Sequence, residues 1–279
     1  NENQAGFRPG RTTTDQILKL VQEASDQFHA DGSNHRLIST FYDYEKAFDK
    51  VWRDGLIHKL NELGIPPRFM TYIRHFLAGR KTRVEINGRR SDQFLMKQGL
   101  PQGSSISPIL FVVFINDIDV DLDPQTTASL FADDTATWLK DGHPRGSNRQ
   151  LAQTEVNKIV AWADTWKMSL NSDKTRTMIT STAPNDLLWN PDLKINNTPI
   201  KAVEEYKFLG TIISNNLRFT KHIDMIVTKC RKRINILKCL STKNWGCALE
   251  TQRRLYTQYI RSAIEYASSS FHGWISDTH

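Results

Sequence analysis

A chain of 279 residues with 39 % hydrophobic side chains has material for one large domain or two ordinary ones and for a real core, which excludes a disordered or fibrous polymer. No apolar run approaches the roughly 18 residues that a membrane span needs, and Cys230, Cys239 and Cys247 form neither an even disulfide framework nor a CxxC pair. The net charge of +7 is concentrated: from Thr220 to Ser262 ten Lys or Arg face only Asp224 and Glu250, a segment of +8, so the remainder sums to −1.

The cysteine count implies a reducing compartment without structural zinc. Asn1 is followed by no leader sequence, so the expectation is an excerpt of a longer product. The Asn196-Asn197-Thr198 glycosylation pattern is set aside for lack of a signal peptide. The basic segment suits phosphate-backbone binding, since Lys and Arg release condensed counterions there. A solvated helix face explains the same charges.

Along the chain, Thr13 and Gln16 have capping-box spacing ahead of Ile17, Val21, Ala24 and Phe28, which predicts a helix over 14–29. The β-branched and aromatic run 36–42 predicts a buried strand ending at Asp43. Asp54 is read as the cap of a helix through Leu63, stopped by Gly64, and a second helix runs from Pro67 to Gly79. Asn87-Gly88 between alternating runs signals a hairpin. A Gly, Pro and Ser loop, "QGLPQGSSISP", leads into a buried helix at 109–118.

Two strand-like runs then flank Asp133 and Asp134, a long helix is expected from Asn148 to Trp166, and "KTRTMITS" reads as another strand. Short strands follow in "LKINNTPIKAV" and "YKFLGTIIS". From His222 the pattern turns helical, with an apolar stripe at Ile223, Val227, Cys230, Ile234 and Leu237 and a second helix over 249–266. The architecture is therefore an α+β body to about residue 218, followed by a basic helical appendage.

The paired aspartates carry the chemistry. Two unit charges about 4 Å apart repel by about 4 kcal/mol at an effective dielectric near 20, so carboxylates held together need solvent, protons or a cation. Hard divalent ions fit best, because magnesium takes one or two carboxylates and keeps its other positions for water and substrate phosphates. A two-metal site for in-line phosphoryl transfer needs a further acid. Asp43 is the candidate, since it also ends an apolar strand. The alternating run Asp117, Asp119, Asp121 and Asp123 fails as a calcium loop, with Leu122 where glycine is required and Ala128 where glutamate is required.

"FYDYEKAFDKV" (41–51), "QGLPQGSSISPILF" (98–111), "FADD" (131–134), "NSDKT" (171–175) and "YKFLG" (206–210) resemble, in order and approximate spacing, the palm motifs of reverse transcriptases. Their wording is similar to the non-LTR, LINE-type branch close to the jockey-like retrotransposons, as are "QAGFRPGRTTTDQI" (4–17) before them and "LYTQYIRSAIEYASSSFHGW" after them. The resemblance implies a right-hand polymerase: an antiparallel palm sheet backed by helices, with partial fingers, over residues 1–218. A thumb-like helical region and the start of a downstream segment occupy 219–279.

It further implies that Asp43, Asp133 and Asp134 hold two Mg²⁺ ions, with Mn²⁺ able to stand in. Phe48 would lie beneath the incoming sugar and exclude a 2′-hydroxyl, although a core aromatic reads the same way. Gln102 and Gly103 would lie along the template and the new base pair. Lys174 would stand near the leaving pyrophosphate as a general acid. Phe208, Leu209 and Gly210 would grip the primer, while Arg8 and Arg11 would touch triphosphate or template. Lys229, Arg231, Lys232 and Arg233 would follow the nucleic-acid backbone.

The implied partners are an RNA template, a DNA primer, dNTPs, the element's own RNA and other element-encoded domains. No membrane is involved, and the place of action is intracellular, in the nucleus during integration. Family members carry upstream finger segments, an endonuclease and a CCHC knuckle that this sequence does not contain. The competing reading is a catalytically inactive or domesticated remnant that binds nucleic acid through its basic helices. A weaker rival is an RNA-dependent RNA polymerase.

Overall fold

The computed structural model describes residues 1–29, 36–141, 148–242 and 245–274. In chain order it opens with helix α1 (Thr13–His29) and strand β1 (Arg36–Tyr42). Helices α2 (Ala47–Lys50), α3 (Arg53–Glu62) and α4 (Pro67–Leu77) follow, then four two-residue strands, β2 (Lys81–Thr82), β3 (Glu85–Ile86), β4 (Arg89–Arg90) and β5 (Phe94–Leu95). Next come α5 (Ser107–Ile115), β6 (Thr126–Phe131), β7 (Asp134–Asp141), α6 (Arg149–Thr165), β8 (Arg176–Thr180) and α7 (Pro184–Leu187). Strands β9 (Lys194–Ile195), β10 (Thr198–Pro199), β11 (Lys201–Ala202), β12 (Glu205–Phe208) and β13 (Thr211–Ser214) precede α8 (Thr220–Cys239), α9 (Leu249–Leu255), a π-helical stretch Tyr256–Arg261 and α10 (Ser262–Glu265).

One five-stranded sheet, in the order β11-β8-β1-β7-β6, organises the body, and β1 runs antiparallel to both of its neighbours. All seven β1 residues are buried, because this central strand is covered on both faces. The covering follows the side-chain alternation of a strand. Ile38 and Tyr42 enter a core with residues of α3, α4, α5 and α6. Leu37 and Phe41 enter a second core with α1, β12, β13 and α8. The fold is a sheet between two helical layers, the mixed α+β arrangement the sequence implies.

Several local expectations shift. Thr12 and Asp15 form the reciprocal cap of α1, at 2.7 and 3.3 Å, where the spacing favours Thr13 and Gln16. Gln16 is drawn inward instead, 2.5 Å from the Ser129 hydroxyl. The N-cap of α3 is Trp52, with no side-chain cap, so Asp54 lies within the first turn. Helix α5 starts at Ser107, and Ile109 is 58 % exposed despite belonging to an apolar run. The buried positions of α8 are His222, Ile226 and Cys230. Val227 and Ile234 of the expected stripe are exposed, whereas Ile223, Cys230 and Leu237 pack on the second core.

A buried ion network supports the first core. Lys59 is 5 % exposed; its ammonium donates to the Phe114 carbonyl at 2.7 Å and to Asp117 at 2.5 Å and lies 3.7 Å from the Trp166 ring centroid. Burial pulls its pKa down to about 8, with Asp117 pulling the other way.

Candidate active site

The sheet brings together the acids that the sequence separates. Strand β1 pairs with β7 as far as Tyr42 opposite Thr135, and Asp43 and Asp134 are the next residues on the two sides. Alternation fixes their face as well: Leu37 and Phe41 of β1, and Ala136 and Trp138 of β7, turn to the second core, and Asp43 and Asp134 share their parity. Asp133 belongs to the turn between β6 and β7, since Phe131 pairs with Asp134 and leaves only Ala132 and Asp133 to close the hairpin.

Electrostatics follows from that placement. The Asp134 carboxyl is pushed up to about 6 from 3.8, first by burial and then by the negative charges of Asp133 and Asp43. Neighbouring protein crowds this group while its surface still meets solvent. Tyr206 reports the same field: its ring stacks on Phe41 with centroids 4.1 Å apart. Its phenol is raised by burial and then by Asp134 and Asp43. The donors here are oxygens only, the chemistry of a hard divalent cation. Among the described residues, however, no three acidic, His or Cys side chains converge closely enough to form a complete cage by themselves.

The corner is built by contacts that are distant in sequence. Ala132 takes φ +56°, a region where a non-glycine residue is strained by on the order of 1–3 kcal/mol. The N-terminal segment braces it. Gln4 is fully buried, and its side-chain oxygen accepts from the Ala132 amide at 3.2 Å and the Gly6 amide at 2.7 Å. A Cβ on Gly6 would lie 2.4 Å from the Ala132 nitrogen, so only glycine permits this approach. No periodicity in the sequence announces Gln4.

On the other side, the segment carrying Lys174 is tied to Asp43: Asn171 donates its amide to the Asp43 carbonyl at 2.7 Å, and the Asp43 amide donates to the Thr175 hydroxyl at 3.3 Å. Lys174 is exposed on that turn.

Phe48, in α2, is half-buried and stacks on Phe111 of α5 with centroids 4.4 Å apart. The Gln102 loop is pinned nearby, since Gln102 donates to Asp49 at 3.1 Å and the Leu100 amide donates to the Phe48 carbonyl at 2.8 Å. Gly99 makes this possible: its φ is +81°, and a Cβ there would lie 2.4 Å from the Asp49 carbonyl oxygen. Gly103 has φ +83° with open space around it.

The remaining candidates lie on the β12–β13 hairpin, the N-terminal segment and α8. Leu209 and Gly210 close the β12–β13 hairpin with positive φ at both positions. Phe208 and Leu209 are buried and Gly210 is exposed. The Tyr266 hydroxyl donates to the Leu209 carbonyl at 2.7 Å and lies 2.8 Å from the Thr13 hydroxyl, fastening this hairpin between α1 and the C-terminal helices. Arg8 and Arg11 are exposed, and Arg8 is held in its own loop by a 3.0 Å bond to the Gln4 carbonyl. On α8, Lys229, Arg231 and Lys232 face solvent, whereas Arg233 donates to the Tyr259 carbonyl and stacks over the Tyr259 ring at 4.2 Å.

Comparison with known proteins bears on the family and the fold. The family model described as reverse transcriptase (RNA-dependent DNA polymerase) matches residues 1–213. Curated relatives include the RNA-directed DNA polymerase from mobile element jockey of Drosophila funebris, 28 % identical over 95 % of this chain and 29 % of its own length. Another is the probable RNA-directed DNA polymerase from transposon X-element of Drosophila melanogaster, 25 % identical over 100 % of this chain and 30 % of its own. The chain thus spans under a third of the length of these relatives. Among solved structures, apo telomerase from Candida tropicalis superposes with a TM-score of 0.54 at 11 % identity, covering 99 % of this chain and 47 % of that one, a likeness of fold. With the family model matching well over half of it, the chain belongs to the reverse transcriptase (RNA-dependent DNA polymerase) family.

Proposed function

We propose that this chain is the polymerase core of a non-LTR retrotransposon reverse transcriptase, extending a DNA primer on an RNA template from dNTPs. The observation that supports the reading is that β1 pairs with β7 as far as Tyr42 opposite Thr135, which leaves Asp43 and Asp134 as the next residues on the two sides, with Asp133 in the adjoining turn. An acid whose proton is retained to about 6 beside two more acids is a site that favours positive charge.

Asp43, Asp133 and Asp134 would hold two divalent ions, Mg²⁺ by preference and Mn²⁺ in its place, which when bound supply activation of the primer hydroxyl and neutralisation of the pyrophosphate leaving group. Incomplete convergence of the three side chains suits this chemistry, since such sites use few carboxylates and count substrate phosphates among the ligands. The exposed Lys174, on the turn fastened to Asp43, would give a proton to the departing pyrophosphate. Phe48, stacked on Phe111 and so fixed in orientation, would bar a ribose 2′-hydroxyl. The loop at Gln102 and Gly103 would meet the template, the 208–210 turn the primer, and Arg8 and Arg11 the triphosphate or template. On this reading residues 1–218 are palm with partial fingers. The α8 cations Lys229, Arg231, Lys232 and Arg233 line a thumb, with Arg233 acting through its contact with Tyr259. The work would be done in the nucleus, with the element's RNA and its other domains.

The test is primer extension by the 279-residue chain with an RNA template, DNA primer, dNTPs and Mg²⁺, beside Asp133→Ala. Incorporation that is lost in the variant is the expected result. RNA binding without extension under any divalent ion contradicts it and favours a binding remnant. A preference for NTPs in the same assay favours an RNA polymerase.

A further inference from the structure

Strand β6 is the last strand of the five-stranded sheet, yet its outer edge is covered. Gln4 forms a parallel bridge with Leu130, the Ala5 amide donating to the Leu130 carbonyl at 2.8 Å and the Leu130 amide to the Asn3 carbonyl at 3.0 Å. Lys19 of α1 fastens the same edge, donating to the Asn3 side chain at 3.0 Å and to the Ala128 carbonyl at 3.1 Å. Residues 3–5 are thus built into the sheet, and from there the Gln4 side chain reaches the turn that holds Asp133.

That corner is unfavourable in two ways. Two-residue hairpin turns with a positive φ prefer glycine or asparagine there, whereas this one has Ala132 at φ +56°. The residue that holds it is itself left incomplete. Gln4 Oε1 accepts from the Ala132 and Gly6 amides, but Nε2 is buried and has no partner among the described residues. A buried donor without a partner destabilises the fold. A brace that served stability alone would hold a relaxed turn. Strain and an unmet donor in one place mark a geometry kept for another purpose, and the next side chain along the turn is Asp133.

We infer that Gln4 is a positioning residue for Asp133: by fixing the Ala132 peptide it sets the direction in which the Asp133 carboxylate leaves the turn. The inference rests on the reading of Asp133 as an ion ligand, and adds to it a residue that acts only through its neighbour. Without the Gln4 oxygen, Ala132 is free to relax to negative φ. Rotation of that peptide re-aims the residue after it, while β6 and β7 stay paired from Phe131 and Asp134 onward. The loss then falls on ion binding more than on folding.

The test is made on the full 279-residue chain, with Mn²⁺ binding read by electron paramagnetic resonance beside a dNTP and primed RNA template, and stability read as urea midpoints. Gln4→Leu should weaken Mn²⁺ binding at least about tenfold, the lower end of what losing an outer-shell partner costs a metal site. Adding Ala132→Gly to Gln4→Leu should bring the midpoint back towards wild type and leave Mn²⁺ binding weak, because glycine relieves the strain without restoring the aim. Gln16→Leu, which removes the bond to Ser129 on the same strand, should lower the midpoint and keep wild-type Mn²⁺ affinity. In the wild type, Mg²⁺ with dNTP and primed template should slow hydrogen exchange of the Ala132 amide, by linkage, however any variant folds. A double variant that regains Mn²⁺ binding along with its stability, a Gln16→Leu that loses both together, or an Ala132 amide indifferent to Mg²⁺ overturns the inference. Asp133→Ala separates the two claims. Mn²⁺ lost there but bound normally by Gln4→Leu ends the positioning role alone, whereas normal binding by Asp133→Ala ends the ion reading and the inference with it.

Discussion

Asp134→Asn removes one charge from the acidic corner and keeps its shape. The carboxyl is pushed from 3.8 to about 6 by burial and by Asp133 and Asp43, so the folded chain holds an extra proton between those two values. The wild type is therefore relatively more stable below about pH 4 and loses that increment as pH rises through about 6. At about 1.36 kcal/mol per pKa step the increment is capped near 3 kcal/mol. Solvent reaches the exposed carboxyl and screens it, which brings the figure to about 1 kcal/mol. Asp134→Asn should accordingly be about 1 kcal/mol more stable than wild type at pH 7, a rise of roughly 2–4 °C in Tm, and equal to it at pH 4. Urea unfolding at both pH values in chelator reads the difference, and added Mg²⁺ should reverse its sign by stabilising only the intact acidic set. A variant less stable than wild type at pH 7 without metal would show that the three acids do not repel, and the account of the corner would be wrong.

Other outcomes follow from neighbouring contacts. Gln4→Leu should leave the Ala132 amide unprotected in hydrogen exchange and cost roughly 1–3 kcal/mol, with Ala132→Gly restoring part of the loss by relieving φ; unchanged protection would mean that the brace is idle. Phe48→Ala should raise NTP relative to dNTP incorporation at least about tenfold if the ring bars the 2′-hydroxyl, whereas a purely packing role predicts lower stability with selectivity intact. Burial lowers Lys59 to about 8 against 10.5 when unfolded, so the unfolded chain binds more protons between those values and stability should gain from rising pH there. Lys59→Met should abolish that slope in urea midpoints taken at about pH 7.5 and 9.

Much of this is legible where one residue type has one physical use. The run 36–42 reads as a buried strand because Ile38, Thr40, Phe41 and Tyr42 are β-branched or aromatic, and β1 covers Arg36–Tyr42. Asn87-Gly88 names its turn, and both residues take positive φ. The logic of strand ends groups Asp43 with Asp133 and Asp134; β1 ends at Tyr42 opposite Thr135, and the charges of Asp133 and Asp43 help to raise the Asp134 carboxyl. Periodicity fails where packing chooses the face: α8 buries Ile226 where an equally apolar Val227 stays exposed. It is silent on Gln4, Gly6 and Gly99, whose roles depend on the partners that tertiary folding brings, Ala132 and Asp49. Total charge also misleads, since a sum of −1 outside residues 220–262 hides a basic stretch from 67 to 97.

Electron paramagnetic resonance of Mn²⁺ titrated into the chain with a dNTP and a primed RNA template addresses the shared-carboxylate corner most directly, because it reads ion binding without requiring turnover. Asp43 is 90 residues from Asp133 in the chain, and the pairing of β1 with β7 brings their two segments side by side. Wild type should bind Mn²⁺, and Asp43→Ala should weaken that binding at least about tenfold, as Asp133→Ala does. If Asp43→Ala binds Mn²⁺ as wild type does while Asp133→Ala does not, the three acids do not act on common ions, and the catalytic account fails.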